Sequence, residues 1–504
     1  MKGRITALSV IIVLLFGLVL GQAWFIQVHR ASALNHSTRN PTNLLAGRLY
    51  PRGEILSVNG TVLARSIPTG DASSPWRRSY PLGALTSDVV GYSSVKYGTG
   101  GIEYEYDGNL ITHTQPARSI SELIAPTRAN DTVQLTLSVP LQQVAARALA
   151  GRDGAVVAID PRNGAVLAMY SNPTYNPAPL TSTNYGIQTA AWNKYNTNDP
   201  LHFPPLGSVA TQETFPPGST SKVLTTAAIY RYFPGLANVP FPSTTCLNLV
   251  PFGGSPLHPL CNSGLTPCGG TIQYMLPASC DPGYGWLGIH LGAQDLTNEA
   301  RQFGYNAIPP LDLPGVVPSY FPPPGFFVGN LPGLAYSAIG QQNVRATALQ
   351  DALIAAAVAN GGKEMAPHFL SLITDQNGGV VERYRPYMWR HPIGPSMAAM
   401  ITTLMKAVVT GGTASQVGFL SQDDVAAKTG TAQTGDAQNH IDAWMIAFAP
   451  ASNPAIAVAV VLPQQAFNAW GATTAGPVMK CVIEGALALD AKQPPSGTYT
   501  TCPR

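Results

Sequence analysis

The chain has 504 residues and a formal net charge of +3, and at roughly 150 residues per domain this length predicts about two to four domains. A charge so close to neutral excludes a strongly basic nucleic-acid-binding protein, and a hydrophobic content of 45% excludes global disorder. Charged residues make up only 11%, against about 25% in an average domain. The surface must therefore depend on uncharged polar residues, glycine and proline.

The first 28 residues contain a long apolar segment. Ile5 to Ile26 is 22 residues of almost unbroken apolar sequence, and about 20 residues are enough to cross a bilayer as a helix. Lys2 and Arg4 precede it, which predicts a cytoplasmic N-terminus and an extracytoplasmic remainder. A cleaved signal peptide is the alternative, because Gly21-Gln22-Ala23 resembles a small-x-small cleavage site. We expect residues 1–28 to be a cytoplasmic tip and a single-pass anchor in the cell membrane.

Residues 29–131 have the pattern of a small, turn-rich and β-rich module. The alternating stretch PRGEILSVNGTVLARS contains Asn59-Gly60, a strong hairpin signal. Near residue 132 a strand-like run passes into an amphipathic helical pattern, and we place a domain boundary there. The second domain is expected at 132–492, followed by a tail at 493–504.

The second domain begins with strands, continues with helices and returns to strands. Its opening stretch, GAVVAIDPRNGAVLAMYS, reads as a hairpin that turns at Pro161-Arg162-Asn163-Gly164. Helical patterns follow at 221–232, 271–279, 294–303 and 346–360, and strand patterns at 424–433, 442–450 and 455–463 precede a helix at 475–489. Strands at both ends with helices between them predict an α+β domain, in which helices cover one mixed, mainly antiparallel sheet.

The candidate nucleophile is Ser219, in FPPGSTSKVLTTAAIYRY. Lys222 follows three residues later, so a helix beginning here places both side chains on one face. A neutral lysine amine can then remove the proton of the serine hydroxyl. The spacing recurs at Ser93-Ser94-Val95-Lys96, but that copy runs into the glycine-rich stretch YGTGG. We expect no helix and no catalytic role there.

Two further short motifs could contribute to the same site. Lys428-Thr429-Gly430-Thr431 lies on a predicted strand, where a small glycine permits close approach of a ligand. An ammonium group and hydroxyl groups there could hold a carboxylate. Ser279-Cys280-Asp281 lies at a break between two helical patterns and indicates little by itself.

The six cysteines fit an extracytoplasmic location. They are Cys246, Cys261, Cys268, Cys280, Cys481 and Cys502. No CxxC pair is present, so a zinc site is not expected. A bridge among the first three and a Cys481–Cys502 bridge are both plausible. Cys280, between two candidate site residues, is expected to be buried and reduced.

The order of the three motifs is that of the active-site serine enzymes that recognise D-Ala-D-Ala. The chain resembles a class B penicillin-binding protein, most closely the penicillin-binding protein A group of actinobacteria. The resemblance covers nearly the whole chain and includes RGEILSVNGTVLARS, YGTGGIE, GAVVAIDPRNGAVLAMYSNPTYNP, PPGSTSKV, SAIGQQNVRATALQDALIAAAVANGG, VVTGGTA, KTGTAQ and DAWMIAFAP. It implies the penicillin-binding transpeptidase fold on a small pedestal domain behind a membrane anchor.

The resemblance also implies the roles of the site residues. Ser219 would attack the carbonyl between the two terminal D-alanines of a stem peptide, with Lys222 as general base and Ser279 as the proton relay to the leaving amine. Burial and the nearby Lys428 would lower the pKa of Lys222. Lys428 would be the fourth catalytic residue and would also grip the terminal carboxylate with Thr429 and Thr431. Asp281 and Gly430 would complete the substrate-binding residues, with the backbone N–H groups of Ser219 and Thr431 as oxyanion hole. β-Lactams would acylate Ser219, and no metal or organic cofactor is expected.

Three departures from the family pattern qualify this interpretation. Asp281 replaces the usual asparagine, Ala348 replaces the proline of ATPLQ, and Asp442 replaces the histidine of His-Ala-Trp. One alternative is therefore a catalytically weak or inactive scaffold that supports a membrane glycan-strand polymerase, which is also a plausible partner of the active enzyme. A β-lactamase would not need the 29–131 module, and a β-lactam sensor would need several membrane spans and a cytoplasmic effector.

Overall fold

The computed structural model describes residues 2–26, 49–114, 128–197, 199, 202–249 and 258–490. The helices are α1 (Lys2–Trp24), α2 (Ser87–Val90), α3 (Ile102–Glu105), α4 (Asp107–Leu110), α5 (Val139–Leu149), α6 (Tyr185–Tyr195), α7 (Lys222–Tyr232), α8 (Ile272–Met275), α9 (Asp281–Gln302), α10 (Leu331–Ser337), α11 (Ala348–Ala359), α12 (Pro395–Thr410) and α13 (Gly471–Asp490). Within these described parts of the chain, no helix combines the length and the apolar character needed to cross a membrane. The tail predicted at 493–504 lies outside the described residues.

The described residues also form strands β1 to β21. They are β1 (Ile55–Leu56), β2 (Val62–Pro68), β3 (Trp76–Ser79), β4 (Tyr92–Ser94), β5 (Gly98–Gly100), β6 (His113–Thr114), β7 (Arg128–Ala129), β8 (Thr132–Leu135), β9 (Gly154–Ile159), β10 (Val166–Asn172), β11 (Phe241–Thr244), β12 (Cys246–Leu249), β13 (His258–Cys261), β14 (Cys268–Gly270), β15 (Glu364–Met365), β16 (Leu370–Thr374), β17 (Val380–Arg383), β18 (Met388–Arg390), β19 (Ala426–Gln433), β20 (Ile441–Ala449) and β21 (Ile456–Gln465). Two larger sheets organise them, one of five strands and one of six.

The five-stranded sheet forms the centre of the second domain. Its order is β10-β9-β21-β20-β19, and every neighbouring pair is antiparallel. Strand β20 is buried at every residue. Helices α5 and α13 pack together on this sheet, and α11 packs on it separately, so both faces are covered. The predicted union of the two ends of the domain in one sheet is confirmed by the pairing of β9 with β21.

The six-stranded sheet combines segments that are far apart in the chain. Its order is β17-β16-β8-β1-β2-β3. Strand β8, at the boundary predicted near residue 132, pairs in parallel with β1 and in antiparallel with β16. The N-terminal module therefore shares a sheet with residues 370–383, which lie deep within the second domain.

Local signals predicted most elements correctly. The hairpins at Asn59-Gly60 and at 161–164 are confirmed by the pairing of β1 with β2 and of β9 with β10. Helix α9 is interrupted at Gly292, which has a φ of +75°; the part after this kink confirms the helix predicted at 294–303, whereas the part that starts at Asp281 was not predicted. The glycines near the start of α9 weaken the helical pattern in its sequence. They are needed for packing, because a Cβ at Gly288 would collide with the side chain of Ala338. The helices α6 and α12 were not predicted.

Strands β11 to β14 form a disulfide-linked arm, which we call the cystine arm (residues 241–270). The Cys246–Cys261 bridge joins β12 to β13, which confirms the prediction of a bridge among the first three cysteines. Cys280 is buried as predicted, but the prediction that it is reduced was wrong, because it is bonded to Cys268. The pairing of β14 with β11 sets Cys268 opposite Thr244, and its bond to Cys280 ties this small sheet to the start of α9. Residue 502, of the predicted Cys481–Cys502 bridge, lies outside the described residues.

Candidate active site

The candidate nucleophile lies on a tight turn that leads directly into α7. Residues Gly218–Ser221 form one 3-10 turn, and Lys222 is the first residue of the helix. Ser219 is partly exposed, whereas Lys222 is completely buried. The turn is fixed from behind by two hydrogen bonds: the Trp444 indole donates to Pro216 O at 2.9 Å, and Gly218 N donates to Gly340 O at 2.9 Å.

Gly340 is required at this position. Its φ is +72°, and a Cβ there would collide with Gly218 O and lie 2.6 Å from Ser221 Oγ. The SAIGQ stretch therefore supports the back of the nucleophile turn, a role that was not predicted from its sequence.

Lys222 connects this turn to the Ser279-Cys280-Asp281 motif. Its Nζ donates to Ser279 O at 2.6 Å, to Ser279 Oγ at 3.2 Å and to Asp281 Oδ1 at 2.6 Å. An ammonium group has three protons to donate, so these contacts use all of them. Among the described residues, Ser219 Oγ forms no hydrogen bond with Lys222. The structure thus shows the lysine engaged with the second motif rather than with the nucleophile.

Lys428 approaches the same serine from the other side. Its Nζ donates to Ser279 Oγ at 2.9 Å and to the carbonyl of Thr429 at 2.9 Å. Like Lys222, it is completely buried. Ser279 Oγ therefore accepts a hydrogen bond from each lysine, and its own proton stays available for a third partner.

Burial determines the electrostatics of the two lysines. It lowers the pKa of Lys222, as predicted, while the charge and the hydrogen bond of Asp281 oppose this shift. Burial holds the pKa of Lys428 well below its usual value, the charge of Lys222 adds to the effect, and Asp281 again opposes it. The repulsion between the two lysines acts between both partners and disfavours the state in which both are charged. Two ammonium groups around one hydroxyl are unfavourable, which keeps a neutral amine within reach of the site.

The Lys-Thr-Gly motif lies on β19, which is the edge strand of the five-stranded sheet. Thr429 Oγ1 and Thr413 Oγ1 are hydrogen-bonded at 2.7 Å, and Gly471 N donates to Thr431 Oγ1 at 3.0 Å. A Cβ built on Gly218 would lie 3.0 Å from Thr431 O, so the strand runs directly beside the nucleophile turn. An edge strand leaves backbone groups unpaired, and these can receive a ligand.

Asp281 is the first residue of α9, where the helix dipole favours a negative charge. Its backbone N–H donates to Asn262 Oδ1 at 3.1 Å. Asn262 lies within the cystine arm, directly after β13, and its side chain donates in turn to Thr266. No sequence signal pointed to Asn262, because its contact depends on the disulfide-linked fold of the arm. Thr413 could have been found, since VVTGGTA belongs to the family pattern.

The second Ser-x-x-Lys copy lies far from this constellation. Ser93 is in β4, which pairs with β5, so the expected absence of a helix is confirmed. Lys96 is exposed and donates to Thr189 Oγ1 at 2.6 Å. Asp442, another departure from the family pattern, is buried on β20 and accepts a hydrogen bond from Gln464 N at 3.1 Å. Burial raises the pKa of Asp442 to about 7.

Two family models match the chain. The penicillin-binding protein transpeptidase domain matches residues 154–484, and the penicillin-binding protein A dimerisation domain matches residues 52–129. The peptidoglycan D,D-transpeptidase PbpA of Mycobacterium tuberculosis is 33% identical over 97% of this chain and 99% of its own length. PbpA of Mycolicibacterium smegmatis is 32% identical over the same shares.

Solved structures agree with these matches. A ceftriaxone acyl-enzyme complex of penicillin-binding protein A from M. tuberculosis has a TM-score of 0.78 and 31% identity, and covers 89% of this chain and 100% of that one. An imipenem acyl-enzyme complex of the same protein has a TM-score of 0.77 and 31% identity, and covers 87% and 99%. With three motifs assembled around Ser279 and with these similarities, the chain belongs to the penicillin-binding protein transpeptidase family and is similar to penicillin-binding protein A along nearly its whole length.

Proposed function

We propose that this protein is a peptidoglycan D,D-transpeptidase that works through an acyl-enzyme on Ser219. The observation that supports this most strongly is the position of Ser279 between two buried lysines. A hydroxyl that accepts from both sides directs its own proton outward, where a leaving amine must be protonated. A structural serine would need no such arrangement.

The proposed acylation begins with Lys222 as a neutral amine. It takes the proton of Ser219 Oγ, which attacks the carbonyl carbon between the two terminal D-alanines of a stem peptide. The C–N bond then breaks, and the proton reaches the leaving amine from Lys222 through Ser279. The amine of a neighbouring stem peptide attacks the ester, the C–Oγ bond breaks, and Ser219 recovers its proton by the same route.

The edge strand β19 would hold the substrate during these steps. Lys428, Thr429 and Thr431 offer an ammonium group and two hydroxyls to the terminal carboxylate. The backbone N–H groups of Ser219 and Thr431 would stabilise the oxyanion, which is worth about 3 kcal/mol per donor in other acyl-transfer enzymes. β-Lactams would enter as mimics of D-Ala-D-Ala, in agreement with the acyl-enzyme complexes of the similar M. tuberculosis protein.

A transfer assay tests the proposal. A synthetic pentapeptide that ends in D-Ala-D-Ala is incubated with the protein and with an excess of D-methionine as acceptor, and products are separated by liquid chromatography and mass spectrometry. We expect released D-alanine and a peptide that carries D-methionine, both absent for Ser219→Ala. Product formation by the Ser219→Ala variant would contradict the assignment.

The scaffold alternative is favoured by one observation, the ion pair between Lys222 and Asp281 at 2.6 Å. It stabilises the protonated lysine and so opposes its role as base. A scaffold would fold normally, give no transfer product and form no penicillin adduct. The transfer assay and penicillin labelling of one preparation can therefore distinguish the enzyme from the scaffold. A polymerase partner is compatible with both functions.

We also propose that residues 5–26 anchor the protein in the cell membrane, with the N-terminus cytoplasmic and the catalytic domain outside. The apolar sequence of this segment and the preceding Lys2 and Arg4 support the proposal, whereas α1 does not meet the criterion for a membrane-spanning helix among the described residues. The full-length chain should keep its N-terminus and stay in the membrane pellet after a high-salt wash. A soluble mature chain that begins near Trp24 would indicate a cleaved signal peptide instead.

A further inference from the structure

The carboxylate of Asp281 is partly exposed to solvent. Its side chain is 17% exposed, whereas that of its partner Lys222 is 0% exposed. Oδ1 accepts a hydrogen bond from Lys222 Nζ at 2.6 Å. Among the described residues, none donates a hydrogen bond to the second oxygen, Oδ2. One oxygen is therefore tied to the catalytic lysine and the other is open to a small ligand from the cleft.

The position of Asp281 is fixed from three sides. The Asn262 side chain holds its backbone N–H, the Cys268–Cys280 bond anchors the preceding residue, and Lys222 holds its carboxylate. The charged and titratable groups that sense it are Lys222, Lys428 and Tyr336. The carboxylate is thereby held against Lys222, which follows Ser219 by three residues at the start of α7.

The chemistry of a carboxylate differs from that of the family's asparagine at this position. An amide can orient a water molecule but cannot take its proton, whereas an ionised carboxylate can do both. A transpeptidase must protect its acyl-enzyme from water until an amine arrives. A general base beside the ester works against this protection.

We propose that Asp281 activates water against the Ser219 acyl-enzyme and so gives the protein a hydrolytic branch. The protein would then act as a D,D-carboxypeptidase on stem peptides and would slowly hydrolyse β-lactams. This inference rests on the proposed Ser219 acyl-enzyme and adds a second fate for it.

The proposed hydrolysis needs only water and three residues of the site, Asp281, Lys222 and Ser219. Water gives a proton to Asp281 and its oxygen to the carbonyl carbon of the ester. The proton on Asp281 passes across the 2.6 Å hydrogen bond to Lys222, which is a neutral amine after acylation. The C–Oγ bond then breaks, Ser219 Oγ takes this proton from Lys222, which restores the site, and the released acid ionises in solvent.

The test compares the wild type with Asp281→Asn and with Asp295→Asn, a control that makes the same change within α9 but outside the site. Each protein is acylated with penicillin G, excess drug is removed, and loss of the adduct is followed by intact-protein mass spectrometry. General bases contribute about 10²- to 10⁴-fold, so we expect the adduct half-life of Asp281→Asn to be at least roughly tenfold longer. With the pentapeptide and D-methionine, the ratio of hydrolysed to transferred product should fall by a similar factor. Asp295→Asn should match the wild type.

The possible results separate the hydrolytic branch from the proposed transpeptidase function. An Asp281→Asn adduct that is lost as fast as the wild-type adduct overturns the inference and leaves the proposed function intact. A wild type that forms no adduct overturns both. Should Asp281→Asn fail to acylate, the wild type with the pentapeptide and no acceptor decides: formation of the hydrolysed tetrapeptide supports the hydrolytic branch, and its absence overturns the inference.

Discussion

At the scale of single residues, the site depends on which atoms surround Ser279 Oγ. Two lysines donate to it at 3.2 Å and 2.9 Å, and both are completely buried. Burial lowers the pKa of each, and Asp281 opposes the shift at both. The balance between burial and this single carboxylate therefore sets the supply of neutral amine for acylation.

Asp281→Asn should accelerate acylation near neutral pH. The substitution removes the charge that raises the pKa of Lys222 and leaves the burial that lowers it, so the pKa falls further. The neutral amine then forms at lower pH, and the acid limb of the acylation profile should move down, by roughly tenfold in neutral fraction per pKa unit. Stopped-flow acylation by a fluorescent penicillin over pH 5 to 9 measures this. Coincident profiles, or a slower Asn variant, would make Asp281 an adaptation of the acylation step.

The sequence was sufficient to predict that Lys222, Ser279 and Lys428 would meet in one site, but not which residues hold them in place. The order of three short motifs identified Ser219, Lys222, Ser279 and Lys428, because chemistry restricts residue type strongly at those positions. Asn262 and the state of Cys280 could not be predicted, because both depend on strand pairing in the cystine arm. Cysteine spacing alone does not indicate which pairs meet in space.

At the scale of elements, the site requires β19 to lie against the nucleophile turn. Gly430 makes this possible: a Cβ there would lie 2.7 Å from Pro217 O, 2.9 Å from Trp444 Cβ and 3.0 Å from Thr220 Cγ2. Two of these neighbours belong to the turn region that holds Ser219. The glycine therefore sets the distance between the nucleophile and the substrate-binding strand.

Gly430→Ala should push β19 away from Ser219. A displacement of about 1 Å can cost roughly 100-fold in rate, so we expect acylation by penicillin to slow by at least tenfold. Gly235→Ala is the control, because a Cβ there meets nothing within 4 Å. Acylation rates and thermal unfolding are measured together for both variants. A Gly430→Ala protein that acylates like the wild type would show that the strand spacing is not critical.

Helix α11 carries a buried acid directly behind the same turn. Asp351 Oδ2 accepts a hydrogen bond from Thr220 Oγ1 at 2.7 Å. Burial raises the pKa of Asp351 from 3.8 to about 7, while this hydrogen bond opposes the shift. The folded protein thus binds more protons than the unfolded chain between about pH 4 and pH 7. The contribution of Asp351 to stability therefore decreases as pH rises through that window and levels off above it.

Asp351→Asn should remove this pH dependence, because the amide stays neutral and its oxygen can still accept from Thr220. The compared quantity is the difference in the free energy of unfolding, variant minus wild type, and it should be larger at pH 8 than at pH 4. The pKa shift of Asp351 sets an upper limit of roughly 4 kcal/mol on this increase. Denaturant unfolding at both pH values, with the disulfides intact, measures it. An equal difference at pH 4 and pH 8 would contradict the account.

At the scale of the whole molecule, the six-stranded sheet makes the two domains interdependent. Ile55, Val133 and Ile373 come from three distant segments, are all completely buried, and occupy paired positions on β1, β8 and β16. A boundary drawn near residue 132 from local patterns divides this sheet. Local patterns predicted the strands, but their pairing across more than 200 residues follows only from the three-dimensional fold.

The pairing predicts that β1, β8 and β16 open together. Native-state hydrogen exchange followed by mass spectrometry should give the same opening free energy for peptides that cover these strands. We expect that value to approach the free energy of global unfolding. Free exchange in β1 while β8 and β16 stay protected would show that the N-terminal module unfolds by itself.

The central claim is that Ser219 is the acylated nucleophile, and peptide mapping after treatment with penicillin G tests it most directly. The wild type should gain one penicilloyl mass, located by tandem mass spectrometry on the peptide that contains Ser219. Ser93→Ala should be modified at the same peptide, and Ser219→Ala should gain nothing. An adduct on any other serine, or an adduct that persists in Ser219→Ala, would contradict the account.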